Sequence, residues 1–153
     1  MGRLKTKTDT DRTNLSATGI VKLVEKAQLK LFHSPLNEPY ATLWVKDHWE
    51  TWRIKSSTFE DWVSAMCYHH NGAVPSQKAI AEAKSTFAGR AVFGNQEERI
   101  YVRLASHNGA IYIDLCDDSW VAVRITAEGW QIVSDVPVKF IRAPGMRPLS
   151  TAG

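Results

Sequence analysis

The residues best suited to chemistry in this chain are the carboxylates that close a β-rich run, Ile111-Tyr112-Ile113-Asp114-Leu115-Cys116-Asp117-Asp118. A strand that delivers aspartates at its end can hold magnesium for phosphoryl transfer, because hard cations take carboxylate oxygens. The spacing works against that use. Asp114 and Asp117 are three apart, and on a strand such positions face opposite sides. The expectation is therefore that Asp117 and Asp118 sit in a turn while Asp114 hydrogen-bonds a neighbouring loop. The alternative is a divergent metal-dependent nucleotidyl transferase or nuclease using Asp114 and Asp117.

Other chemistry has thinner support. His69 and His70 fall near a predicted helix end, where the dipole favours a charged imidazole. Adjacent helical residues point about 100° apart, so the two do not chelate one metal easily. His33, His48 and His107 are placed in loops or turns. No G-x-S-x-G elbow and no Gly-rich phosphate cradle occurs, so neither covalent catalysis nor ATP binding is expected, and no cofactor or metal site is assigned.

Basic residues point elsewhere. Lys22, Lys26 and Lys30 are spaced i, i+4, i+8, which on one long helix makes a single basic stripe. Arg3, Lys5, Lys7 and Arg12 add charge in a polar N-terminal arm. Such residues can contact phosphates without reading bases, so these seven are the candidate nucleic-acid-binding set. The simpler reading is a solvated helix face. The Trp residues are expected mainly in the core rather than as stacking platforms.

The elements that must carry these residues follow from pattern. Residues 1–15 read as a disordered basic arm, 16–141 as one α+β domain and 142–153 as a linker or tail. Ser16 caps a helix with apolar positions from Ile20 to Leu31, ended by Pro35 and Pro39. Tyr40–Val45 and Trp49–Ile54 form a hairpin across Lys46-Asp47-His48. A second helix starts at Thr58, with Asp61 as in a capping box, and stops at Asn71-Gly72. A third runs from Pro75-Ser76 to Gly89. The second and third helices have the short connection of a helix-turn-helix, or they simply cover one side of a sheet. Arg99–Ala105, Ala110–Cys116, Val121–Thr126 and Trp130–Val133 are strands joined by connections too short for anything but antiparallel neighbours. Val138–Ile141 is a possible fifth. The predicted architecture is an antiparallel meander plus an N-terminal hairpin, with three helices packed on it.

Composition sets the frame. The chain has 153 residues, 44% hydrophobic and 23% charged, enough for one domain with a real core. A net charge of +3 leans only slightly towards polyanions. Cys67 and Cys116 form no C-x-x-C pair and suit a reducing cytosol. No signal-peptide pattern or long apolar span is present, so a cytoplasmic location without membrane contact is expected.

The segment Ala110–Leu149 (AIYIDLCDDSWVAVRITAEGWQIVSDVPVKFIRAPGMRPL), with the Val74-Pro75-Ser76 helix and the Ala88-Gly89-Arg90-Ala91 junction, resembles the N-terminal region of large ATP-binding proteins of bacteriophages and integrative elements. In those proteins a similar meander, a basic strand and a Pro-Leu tail precede a helicase-like, primase-associated ATPase domain. The resemblance spans roughly residues 16–149. It implies an accessory domain for DNA replication or processing, with DNA and an ATPase domain as partners. A Walker G-x-x-x-x-G-K-[ST] is absent, so ATPase activity is not carried over to any residue. The acidic pair also departs from the primase pattern of Asp, one apolar residue, Asp. A protein–protein interaction domain, self-associating through exposed aromatics, is the third reading.

Overall fold

Apolar alternation and helix caps divide the chain into two layers that meet along a cleft. The computed structural model describes residues 15–150. Among these the elements are α1 (Ala17–Glu25), β1 (Leu29–His33), β2 (Pro39–Val45), β3 (His48–Arg53), α2 (Ser57–Asn71), α3 (Gln77–Phe93), β4 (Ile100–Tyr101), β5 (Leu104–His107), β6 (Ala110–Asp114), β7 (Ala122–Thr126), β8 (Gly129–Val133) and β9 (Lys139–Phe140).

The N-terminal layer is helices on one face of the antiparallel sheet β1-β2-β3. Each helix begins on a serine whose hydroxyl accepts the N–H three residues on: Ser16 from Gly19, Ser56 from Phe59 and Ser76 from Ala79, all at 3.1 Å. The second helix is therefore capped at Ser56, two residues before the Thr58 start predicted. Gly72 closes it at φ +67°, a left-handed conformation that costs glycine nothing. The third helix continues through Gly89 to Phe93, because Phe87 and the buried Ala91 are still on its core face.

The first helix is shorter than its periodicity implies. It ends at Glu25, and Leu29-Lys30-Leu31-Phe32 switches to strand alternation. Leu29 and Leu31 face the helices together with Ala41 and Leu43 of β2, while Lys30 and Phe32 turn to the opposite face. Leu31 fits either period, continuing the four-residue spacing of Leu23 and Ala27 and also alternating with Leu29. Pairing with β2 decided for the strand. The predicted hairpin is β2–β3, with Lys46 at φ +57° in its turn.

The C-terminal layer is the predicted meander, β5-β6-β7-β8, antiparallel throughout. Arg103 at φ +67° splits the long predicted strand 99–105 into β4 and β5. The candidate fifth strand does not extend the meander. As β9 it pairs with β4 in parallel, which is possible because the whole meander lies between them as a crossover. One face of the meander packs Ala105, Ala110, Tyr112 and Ala122 against Val138 and Phe140. Phe32, Tyr40 and Ile141 form a smaller core joining the layers.

Residues 142–149, tail-like in composition, are tied to the sheet. Arg103 donates to the Arg147 carbonyl (2.8 Å), and the Leu149 N–H donates to the Leu115 carbonyl (2.9 Å). No helix among the described residues is long and apolar enough to cross a membrane.

Candidate nucleic-acid interface

The acidic motif is built as a clasp. Asp114, at the end of β6, is 2% exposed. Arg142 holds both its oxygens, with Nε 3.2 Å from Oδ2 and Nη2 3.0 Å from Oδ1, and the Cys116 N–H reaches Oδ1 at 3.0 Å. A guanidinium fork matches a carboxylate in this way and leaves little charge to attract a cation. Asp117 faces differently: its side chain accepts the Val121 N–H at 3.1 Å, and its carbonyl accepts Arg142 Nη1 at 2.6 Å. Asp114 and Asp117 thus act as a strand-end anchor and a turn brace. Asp114 bonds the following loop at Cys116, as expected, and also Arg142, a partner the sequence reading did not include. The connecting loop holds Cys116 and Trp120 at φ +56° and +54°, which brings the Trp120 ring beneath the guanidinium, 3.9 Å from Arg142 Cζ. Trp120 also meets Trp52 of β3 edge-on at 5.4 Å.

Trp120 also lines a cleft of about 170 Å³ between the layers. Lys30, Trp49, Thr42 and Thr51 come from the open face of β1–β3. Trp120, Asp135 and Lys139 come from the other side. Lys30 Nζ lies 4.7 Å over the Trp49 ring, and Trp44 meets Trp49 edge-to-face at 5.2 Å. Thr42 and Thr51 share a buried hydrogen bond at 3.1 Å across the β2–β3 pair. Trp44 and Trp49 remain 40% and 37% exposed, so aromatic faces and a lysine are open to solvent on one pleated surface.

The predicted basic stripe does not exist as one surface. Lys22 lies in the last turn of α1 and Lys26 is its C-cap, both exposed on the helix layer. Lys30 belongs to β1 and points to the far side of the sheet. Arg3, Lys5, Lys7 and Arg12 lie outside the described residues. Sequence reasoning missed Lys139 and Trp120, whose neighbours are remote in the chain. Trp44 and Trp49, expected to be mainly core, could have been found from the hairpin register, which pairs them directly.

The histidines are placed more firmly than the loops predicted for them. His33 ends β1, buried, with Nδ1 2.8 Å from the Ala91 carbonyl. His48 opens β3 between Asp47 (3.0 Å) and Glu50 (2.7 Å), and Glu50 also accepts the Trp52 indole N–H at 2.9 Å. Burial lowers the His48 pKa, but the Asp47 and Glu50 hydrogen bonds outweigh it and leave it raised. His69 and His70 are exposed with rings edge-on to each other. Among the described residues no three His, Cys, Asp or Glu side chains gather as a metal site requires. Burial raises the Cys67 thiol pKa, which keeps it protonated and unreactive.

Compared with protein-family models, curated proteins and solved structures, the chain matches none.

Proposed function

We propose that this chain is a non-catalytic binding module that contacts single-stranded nucleic acid through the open face of β1–β3. One observation carries the reading: Lys30, Trp44 and Trp49 share a solvent-facing pleated surface, with Trp120 and Lys139 across the cleft. Proteins that hold single strands combine stacking aromatics with cations that follow the backbone, and each stacked base is worth about 1–3 kcal/mol. Lys30 keeps its ammonium donors while it lies on Trp49. Asp135 supplies the one acidic side chain of the cleft that is not already held by an arginine. The nucleotidyl-transfer alternative is disfavoured by the Arg142 fork on Asp114.

Service to a phage or mobile-element replication ATPase rests on the sequence resemblance alone. In that setting the module docks a cytoplasmic motor onto DNA. Fluorescence anisotropy with a labelled oligonucleotide of about 16 nucleotides tests the binding, since sites of this kind cover about 4–16. Trp49→Ala is expected to weaken binding by about 5- to 150-fold, the equivalent of one lost stack. Absence of binding at low salt would overturn the reading.

A further inference from the structure

The outer face of the meander gathers four of the exposed large apolar side chains among the described residues: Leu104, Ile111, Trp130 and Ile132. The register aligns two rows across its four strands: Leu104, Ile113, Val123 and Ile132 in one, Ser106, Ile111, Ile125 and Trp130 in the other. Seven of the eight are apolar and none is charged. On a half-buried sheet the solvent face alternates to polar residues, and here it does not. The inner face, which is covered, carries Arg124, Gln131 and Asp114 beside Ala105, Tyr112 and Ala122, so the more apolar face is the one left in solvent.

Trp130 is 67% exposed, Leu104 58%, Ile132 49% and Ile111 45%. For side chains of this size those fractions amount to about 450–500 Å² of apolar surface, near the top of the ~300–600 Å² seen for the largest patch on a monomer. A standard interface buries about 800 Å² per partner, with an apolar core and a polar rim, so the patch fits the core of one.

From this face we infer that the chain forms a two-fold dimer, with the β5–β8 sheets of two copies packed face to face. Two observations favour a second copy over a different protein. The face is uncharged, so a chain of net charge +3 meets no like-charge repulsion at the contact. It is also a broad sheet surface of four strands, and two twisted sheets pack on each other with strands about 30° apart. An isologous contact places each Trp130 among the isoleucines of the other copy. The surface lies on the meander, away from Lys30 and Trp49 on β1–β3, so the dimer stands or falls independently of nucleic-acid binding.

Sedimentation velocity of the full chain over a concentration series tests this. The expected result is a species of twice 17.2 kDa that dissociates on dilution. Ammonium sulfate should strengthen it, because burial of apolar surface drives the association. Ile132→Lys should leave a monomer at every concentration with an unchanged circular dichroism spectrum. If that variant fails to fold, Trp130→Ser, at the most exposed position of the patch, is expected to shift the dissociation constant at least tenfold. A wild-type chain that stays monomeric throughout, including one that instead captures another protein, overturns the inference. So does a dimer that neither substitution weakens.

Discussion

Replacing Arg142 by alanine strips three contacts at once. It removes the fork on Asp114, the 2.6 Å bond to the Asp117 carbonyl and the cover over Trp120. Asp114 would keep only the Cys116 N–H while staying almost wholly out of water. Breaking a buried ion pair from one side costs about 3–5 kcal/mol, because the remaining charge is left uncompensated. The lost cation–π contact adds about 0.5–1 kcal/mol, discounted by the water that reaches the site. For a chain of this size 1 kcal/mol is worth about 2–4 °C, so Tm should fall by roughly 7–24 °C. Arg142→Lys should recover only a minor part, since an ammonium cannot bridge both carboxylate oxygens and a carbonyl. Urea denaturation gives the free energy, and near-UV circular dichroism follows Trp120. A loss below about 0.5 kcal/mol, the level of an exposed pair, would refute the claim that this clasp holds the meander to its C-terminal segment.

Three further outcomes follow from local geometry. Gly72→Ala should cost about 1 kcal/mol by thermal denaturation, from the left-handed φ alone, because nothing lies near enough for a new methyl group to clash. Ser76→Ala should cost about 1 kcal/mol by loss of the α3 cap, and Ser76→Asp should restore it. His48 has a raised folded pKa, so its contribution is complete below its unfolded value near 6.5 and is lost as pH rises through the folded value. His48→Asn should therefore destabilise more at pH 6 than at pH 9 in paired urea titrations; equal losses would rule out the carboxylate contacts as the cause.

Elements with local signals were legible in the sequence, and contacts between distant segments were not. Ser16, Ser76 and Asn71-Gly72 mark helix ends through bonds that span only a few residues. The meander follows from connections too short to cross over. Lys30 was misplaced because Leu31 continues the four-residue spacing of Leu23 and Ala27 as well as alternating with Leu29, and only β2, ten or more residues on, selects the strand. The same long-range pairing sends β9 to β4. The partner of Asp114 was foreseeable as a loop contact, but not as Arg142, 28 residues away. Likewise the cleft brings Lys30, Thr42 and Trp49 together with Trp120, Asp135 and Lys139, residues far apart in the chain. In β7 and β8 the alternation is regular, Val123 and Ile125 against Arg124 and Thr126, Trp130 and Ile132 against Gln131, but its apolar side faces outward, and the sequence carries no local signal for that choice.

The most direct test of the binding account is the salt dependence of oligonucleotide affinity for the wild-type chain and for Lys30→Gln. Each phosphate neutralised on a single strand contributes about −0.7 to the slope of log affinity against log salt, so Lys30→Gln should lower the slope's magnitude by about that amount. Equal slopes for the two proteins, or no measurable affinity for the wild type at low salt, would contradict a nucleic-acid contact at this sheet.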